Sequence, residues 1–340
     1  MRASTARFLS SDVRLFDLDF PSRGKFITRT RMAFIHLDNV LAYAKRDRDG
    51  MVDAYLAAYL PEELILLFFR KGEIINAAAL RSDGRHLIPI ADALKRMKAE
   101  MERSEVAYCQ APMEQLLWMY TACASPPKRR FIDVAQPEKF FDVFRAEVYD
   151  GVLEVVIDGG VNFLQFVGGV FTGGYMHDQP PGINADKYLL KLLGAGQGGK
   201  PPKEVVAHDL VAVVRELPVQ ALPTQVKLFR EVQARIVASA DKELMGEAGR
   251  KHPRISAAVK ALHPAIELLD APEYGAPPAL VVTGEELTAA FAAWTEKLLK
   301  DVELVAPGGA VTVLKDAAKE NRHQLQASGY FERLPWKVTW

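Results

Sequence analysis

Residues 151–176 have the sequence GVLEVVIDGGVNFLQFVGGVFTGGYM, and this stretch decides the fold. Apolar, β-branched and aromatic residues form three short runs, separated by an Asp-Gly-Gly break at 158–160 and a Gly-Gly pair at 168–169. Runs of this composition favour strands, and glycine supplies the positive φ angles that tight hairpin turns often require. The stretch therefore predicts a three-stranded antiparallel meander.

The same order of segments occurs earlier, in residues 37–80. LDNVLAYAKRDRDGMVDAYLAAYLPEELILLFFRKGEIINAAAL has a helix-like beginning, an Asp-Gly break at 49–50 and three apolar runs. The later copy begins with the helix-like EKFFDVFRAEVY and has its Asp-Gly break at 150–151. The turn FRKG at 69–72 matches FVGG at 166–169, and the small difference in spacing between the copies fits a hairpin loop. These matches predict an internal repeat.

Helical sequence follows each copy. Apolar residues recur at helical spacing in 90–101 and again in 116–120, and NADKYLLKLLG at 184–194 has one apolar side. The segment EVAYC at 105–109 has the composition of a short extra strand. We therefore predict that helices pack on each meander.

From residue 201 onward the pattern becomes helical. Thr224 is placed to cap a helix that extends to about Met245, and Thr283 with Glu286 has the spacing of a capping box. The segment VELVAPGGAVTVL at 302–314 fits either a pair of strands or a loop that enters a helix.

Together these patterns predict an α+β protein in which two helix-plus-antiparallel-meander repeats precede a mainly helical C-terminal domain. The expected boundaries are an extended N-terminal arm in residues 1–34, repeat one in 35–127, repeat two in 128–199, and the helical domain in 200–340.

Composition limits the classes of partner. The chain of 340 residues is 49% hydrophobic and 25% charged with a formal net charge of zero, which is typical of a globular protein. A balanced charge gives little long-range attraction to nucleic acid, so no nucleic-acid partner is predicted. The sequence shows neither a signal-like start nor an apolar run of about 18 residues. We expect a cytoplasmic protein without a transmembrane segment, for which peripheral contact with a membrane complex stays open.

The repeated stretches DGMVDAYLAAY...LLFFRKGEIINAAAL and DGVLEVVIDGG...FLQFVGGVFTGGYM resemble the PATAN module, the PatA N-terminal type of domain found in bacterial signalling proteins. The resemblance covers residues 35–200 as two copies. It implies a non-catalytic interaction module and supplies no catalytic residues. The 340 residues differ from the usual arrangement in that we recognise no receiver domain among them, so no phosphorelay role is expected.

The segment GAGQGGKPP at 194–202 matches two phosphate-binding patterns, GxGxxG and GxxxxGK. Such loops bind phosphate when a strand leads into a glycine-rich turn at the N-terminus of a helix. Here the preceding segment fits a helix, and Pro201 follows Lys200 where a Ser or Thr would ligate magnesium. We interpret the segment as a helix end and linker, and a nucleotide-binding sensor that uses the 194–200 loop is the alternative.

A second alternative is a metal-dependent phosphohydrolase, because His177-Asp178 and His208-Asp209 repeat a His-Asp dipeptide known from such enzymes. Those enzymes place their ligands on helices, whereas His177 follows a predicted strand. Cys109 and Cys123 form no CxxC pair, and the chain has no GxSxG motif. We therefore predict no catalytic residues, no metal and no cofactor.

Both ends of the chain are rich in aromatic residues, namely RLFDLDFPSRGKFITRTR at 14–31 and SGYFERLPWKVTW at 328–340. Chain ends are usually polar, so such ends either pack on their own domain or dock on a partner. The candidate partner-docking residues are Phe16, Phe20, Arg23, Tyr330, Phe331, Trp336 and Trp340. The expected function is that of a non-enzymatic accessory or scaffold subunit of a larger bacterial assembly, such as a signalling complex or the cytoplasmic face of a membrane complex. Its partners would be other proteins, and the edges of a sheet built from meanders also permit self-association.

Overall fold

The structure, a computed structural model, describes residues 6–9, 11–44, 52–125, 128–195, 202, 205–211, 213–270 and 280–340. The chain divides into two compact units, Met1–Pro218 and Val219–Trp340. The division falls later than the boundary predicted at residue 200. The reason is that residues 205–210 form a strand of the second sheet and therefore belong to the repeat region.

The first repeat forms an antiparallel sheet and its covering helices. Its six strands stand in the order β1-β6-β2-β3-β4-β5. In chain order its elements are β1 (Gly24–Arg31), α1 (Leu37–Ala44), β2 (Ala54–Tyr59), β3 (Leu64–Arg70), β4 (Glu73–Arg81), β5 (Gly84–Leu87), α2 (Ile90–Ala99), β6 (Glu105–Gln110) and α3 (Met113–Ala124).

The second repeat forms a five-stranded antiparallel sheet in the order β10-β9-β8-β11-β7. In chain order its elements are β7 (Lys128–Arg130), α4 (Phe140–Glu147), β8 (Gly151–Ile157), β9 (Gly160–Val167), β10 (Val170–Met176), α5 (Ala185–Ala195) and β11 (Val205–Leu210).

The two sheets have the same topology. Read from the other side, the second sheet has the order β7-β11-β8-β9-β10, which corresponds strand by strand to β1-β6-β2-β3-β4 of the first. The strand β5 extends the first sheet by one further hairpin. The predicted internal repeat and both antiparallel meanders are therefore confirmed, as are the helix over 184–194 and the extra strand at 105–109.

The N-terminal segment differs from the predicted extended arm. Residues 24–31 form β1, which pairs with β6 at the edge of the first sheet. The residues before β1 contribute buried side chains to the same unit, namely Phe8, Leu15, Leu18 and Phe20. Apolar burial of this kind outweighs the freedom of a loose arm, so residues 6–9 and 11–31 are part of the fold.

Each sheet has a helical layer on its outer face. Ile90 and Met97 of α2 pack on the first sheet against the face that carries Leu67. In the second repeat, the Phe144 ring of α4 stacks on the Phe166 ring of β9 with centroids 4.3 Å apart. The middle strands are apolar on both faces, because α3 and the other repeat cover the opposite side.

The second unit is helical, as predicted. Its helices are α6 (Pro223–Glu243), α7 (Ala248–Lys260), α8 (Glu267–Asp270), α9 (Gly284–Val305), α10 (Gly309–Ala318) and α11 (Arg322–Ala327). Their shared core contains stacked aromatic rings of Phe229, Phe291, Trp294 and Tyr330. None of the helices within the described residues combines the length and the apolarity needed to cross a membrane.

Local predictions in this unit had mixed outcomes. The capping box of Thr283 and Glu286 is present at the start of α9. The predicted cap at Thr224 is wrong, because α6 begins with Pro223 in its first turn and has Leu222 at the N-cap. Residues 302–314 contain the end of α9, a turn with Gly308 at φ 81° and the start of α10, so the pair of strands is wrong and the loop into a helix is confirmed.

Candidate functional site

The edge strands of the two sheets differ in how well they are protected against pairing with another chain. Edge strands in soluble proteins are protected by short length, by charged side chains or by bulges. Three of the four edges here are short or carry charged side chains. The strand β1 has two register shifts and carries Lys25, Arg29 and Arg31, β5 has 4 residues, and β7 has 3 residues, all basic.

The fourth edge, β10, has 7 residues of sequence VFTGGYM and no charged side chain. It pairs with β9 on one side, and no strand of the described residues pairs with its other side. Val167 and Val170 at the turn before it are 57% and 56% exposed. Among the edge strands of the two described sheets, β10 is the one without a charged side chain.

A bulge divides β10 into two parts. The pairing with β9 shifts register between Phe171 and Gly173, so Thr172 is the extra residue. A Cβ on Gly174 would lie 2.1 Å from the Phe163 carbonyl oxygen, which explains glycine at that position. Bulges are frequent at sheet edges beside binding sites, and they interrupt a continuous ladder. We therefore expect a further strand to pair with the two parts of β10 on either side of Thr172, residues 170–171 and 173–176.

Two clefts lie along β10, one beside each part of the strand. The first, of about 400 Å³, is lined by residues 170–173 together with Phe141, Arg145 and residues 184–186. The second, of about 540 Å³, is lined by residues 174–176 together with residues 20–23 and 178–182. Side chains of a ligand strand paired with β10 would therefore find space along the whole length of β10. We call β10 and these two clefts the β10 groove.

Arg23 and Phe20, both predicted docking residues, contribute to the second cleft. The Arg23 side chain is exposed, and its backbone N–H donates to the Gln110 carbonyl oxygen at 2.9 Å, which fixes its position before β1. The Phe20 ring is buried against Tyr55 with centroids 6.0 Å apart. Phe20 therefore forms the floor beside the cleft, and Arg23 is the accessible member of the pair.

Acidic side chains near Arg23 already have partners. His177 Nε2 lies 3.1 Å from Asp19 Oδ2 and 3.4 Å from Asp178 Oδ2. The Lys25 ammonium lies 3.6 Å from the same Asp19 oxygen. Burial opposes ionisation of Asp19, but the His177 hydrogen bond and the Lys25 charge outweigh it, so the pKa of Asp19 is lowered. This cluster anchors the segment before β1 to the end of β10.

Tyr175 connects the second cleft to α3. Its hydroxyl donates to the Glu114 carboxylate at 2.8 Å, and its ring lies 5.1 Å from the Trp118 ring. Burial and this hydrogen bond raise the pKa of Tyr175 to about 12, while the positive charge of Arg23 acts in the opposite direction. Within the described residues no carboxylate forms an ion pair with Arg23, so its guanidinium is open to a ligand in the cleft.

The two His-Asp dipeptides are separate in the fold. His177 follows β10 and His208 lies on β11, with β9 and β8 between those strands. Asp209 accepts from Arg130 at 2.8 Å and from the Tyr149 hydroxyl at 3.0 Å. Among the described residues no group of three His, Cys, Asp or Glu side chains has a metal-binding arrangement. The described residues therefore do not bring together the two His-Asp dipeptides on which the phosphohydrolase alternative was based.

His208 belongs to a buried ionic cluster between the sheets. The Arg85 guanidinium of β5 donates to Glu154 of β8 at 2.6 Å, and His208 Nδ1 lies 3.4 Å from the same carboxylate oxygen. Arg85 also donates to the Ala122 carbonyl at 3.0 Å, and its charge lies 4.8 Å from the centre of the Phe8 ring. The cluster is enclosed, and its contacts join elements of both repeats.

The 194–200 loop is described only at its beginning. The helix α5 ends at Ala195, so Gly194 is a helical residue, in agreement with the predicted helix before the loop. Residues 196–200, which carry the rest of both phosphate-binding patterns, lie outside the described residues.

The aromatic tail packs on its own helical unit. Tyr330 is fully buried, stacks on Phe291 with centroids 4.9 Å apart, and donates its hydroxyl hydrogen bond to Thr295 at 2.9 Å. Phe331 and Trp336 are partly buried against the same core. Of the predicted docking residues in the tail, Trp340 remains half exposed, at 49%. Tyr330 is a core residue, so its prediction as a docking contact is corrected.

Phe16 has a similar structural role in the repeat region. It is half-buried, and the Arg29 guanidinium lies between its ring and that of Tyr59, 4.1 Å and 3.7 Å from the two ring centres. Arg29 also donates to Glu105 at 2.7 Å. The Phe16 ring therefore packs within the fold.

No protein-family model, curated protein or solved structure matches this chain. The resemblance to PATAN modules consequently stays a prediction.

The β10 groove was not identified from the sequence, although part of its signal was present. VFTGGYM is a predicted strand without a charged residue at the end of a meander, and such strands are candidates for pairing. Its position at the edge depends on the order of the strands, which a local pattern does not contain.

Proposed function

We propose that the protein is a non-enzymatic interaction protein, an accessory or scaffold subunit of a larger bacterial assembly in the cytoplasm. It would bind an extended segment of a partner protein in the β10 groove. The observation that carries this proposal is the contrast between β10, which has 7 residues, no charged side chain and one side unpaired among the described strands, and the other three edges, which are short or carry charged side chains. The resemblance of both repeats to a bacterial interaction module agrees with it.

The physical basis is strand addition. An extended peptide gains main-chain hydrogen bonds at an open sheet edge, and pockets beside the edge select its side chains. The two clefts, of about 400 and 540 Å³, are suitable for this selection. The exposed Val167 and Val170 would lose contact with water in the complex, which adds a favourable apolar term.

The test uses charge at the edge. The variant carrying Val170→Lys and Thr172→Lys places two ammonium groups on exposed positions of β10. The matched control is Val211→Lys, because Val211 is 50% exposed and lies outside the groove. A partner is first identified by affinity purification of the wild-type chain from its host, and the purified partner is then titrated against all three proteins.

We expect the control to bind as the wild type does and the β10 variant to bind at least tenfold more weakly, because charges on an edge deter pairing. Equal affinity of the β10 variant and the control would refute docking in the β10 groove. Size-exclusion chromatography of the wild type alone gives a separate check. A dimer that the β10 variant abolishes would show that a second copy occupies the groove in place of a partner.

A further inference from the structure

We infer that the partner segment bound in the β10 groove presents an acidic side chain to Arg23. This inference rests on the proposed function and adds the chemistry of the partner to it. Residues 174–176 of β10 line the same cleft as Arg23, so a strand that pairs with them passes beside the guanidinium.

The charges around the cleft favour a carboxylate. Asp178 lies near His177 Nε2 and within 4.0 Å of the Lys25 ammonium, and Glu114 accepts the Tyr175 hydroxyl. Asp178 therefore has the Lys25 ammonium beside it, and Glu114 is hydrogen-bonded. The Arg23 guanidinium forms no ion pair with a described residue, which leaves its donors for a ligand. A planar guanidinium binds a carboxylate through two parallel hydrogen bonds.

The charge of the site also distinguishes a carboxylate from more highly charged groups. A phosphate group carries up to two negative charges beside the single Arg23 guanidinium, and the Asp178 carboxylate lines the same cleft. A side-chain carboxylate of the partner brings one negative charge and matches the one available cation. The side chain that binds Arg23 is therefore an Asp or Glu of an extended, strand-forming protein segment.

The shape of the cleft agrees with a peptide ligand. Its walls include Pro180, Pro181 and the Tyr175 ring, which are rigid surfaces for apolar side chains. Arg23 stands where the backbone is fixed by the hydrogen bond to Gln110 and by the start of β1. A fixed backbone at Arg23 reduces the freedom that is lost on binding.

The experiment selects peptides of about ten residues, the upper range of ordinary strands, from a random display library on the full chain. Four targets are compared: wild type, Arg23→Glu, the control Arg254→Glu, and the β10 variant with Val170→Lys and Thr172→Lys. Arg254 is an exposed residue of the helical unit, so its reversal changes the net charge equally without touching the cleft.

We expect wild type and Arg254→Glu to enrich strand-forming peptides with an acidic residue at one position. Arg23→Glu should lose that preference and select Lys or Arg there, and the wild-type peptides should bind it roughly tenfold more weakly or worse. The role of Arg23 would be overturned if Arg23→Glu selected the same acidic residue as the wild type, or if the wild type selected no acidic residue. Docking on β10 would still hold in either case, provided that the selected peptides lose binding to the β10 variant. Enriched peptides that bind the β10 variant unchanged would overturn both.

Discussion

Arg85 of β5 and Glu154 of β8 form a buried ion pair, with 2.6 Å between Nη2 and Oε2, that joins the two sheets. The two side chains are 3% and 2% exposed. The sheets belong to different repeats, so this pair is a polar contact between two copies of the same folding unit. Burial opposes ionisation of Glu154, but the Arg85 charge and the neighbouring His208 overcome it, and the pKa of Glu154 is lowered.

The first prediction concerns removal of one partner of that pair. Arg85→Met leaves the Glu154 carboxylate buried without its cation, so we expect the free energy of unfolding of the repeat region to fall by about 3–5 kcal/mol. Urea unfolding followed by circular dichroism measures it. The double variant Arg85→Met with Glu154→Leu should be more stable than Arg85→Met alone, because no buried charge remains. The single variant Glu154→Leu completes the comparison. If the double variant loses as much free energy of unfolding as the two single variants lose together, the pair is not coupled.

The second prediction concerns the stability of the protein at low pH. Glu154 and Asp19 have folded-state pKa values below their ordinary values of 4.5 and 3.8. The unfolded chain therefore binds protons more readily than the folded chain. The stability that these groups contribute is present above their unfolded pKa values and is lost as the pH falls through the lower folded values.

We expect the free energy of unfolding to decrease as the pH is lowered from about 7 to about 3, and the decrease should be smaller in Glu154→Gln, which lacks one of the two groups. Urea titrations at each pH measure both slopes. An identical pH dependence in wild type and Glu154→Gln would contradict the lowered pKa of Glu154.

Local patterns predicted the elements whose signal lies in a short stretch, such as the meander in 151–176 and the capping box at Thr283. They missed β1 and β5 of the first sheet and β7 and β11 of the second. GKFITRTR has only two large apolar residues, the adjacent Phe26 and Ile27, and its pairing with β6 is a contact between distant parts of the chain. Pairing of this kind is decided by tertiary packing more than by intrinsic propensity.

The candidate site was predictable to a similar degree. Arg23 and Phe20 were named from the basic and aromatic composition of their segment, and both line the second cleft. The association of Arg23 with β10 depends on how the chain returns between the sheets, which no local pattern contains. For the aromatic tail the same reasoning gave a wrong result, because Tyr330 lies in the core. An aromatic composition is typical of cores as well as of interfaces.

The third prediction concerns the glycine-rich loop at 194–200. The helix α5 before it and the two prolines after it differ from the strand-loop-helix order of phosphate-binding loops. We expect ATP, GTP and NAD, each with magnesium, to leave the thermal unfolding midpoint unchanged. A ligand that binds only the folded state would raise it. A clear rise that Lys200→Ala abolishes would restore the nucleotide-binding alternative.

The last prediction distinguishes core packing from docking for residues 330–340. Tyr330 is buried among Phe229 and Phe291, so its removal opens a cavity and also leaves the Thr295 hydroxyl without its donor. We expect Tyr330→Ala to lower the free energy of unfolding of the helical unit by about 3–5 kcal/mol. Tyr330→Phe, which keeps the ring, should cost about 1 kcal/mol.

Deletion of residues 330–340 should abolish the cooperative unfolding of the helical unit. Trp340→Ala should lower the free energy of unfolding by less than about 1 kcal/mol, because that side chain is half exposed. Thermal and urea unfolding measure all four, and a deletion variant as stable as wild type would show that the tail is available for docking.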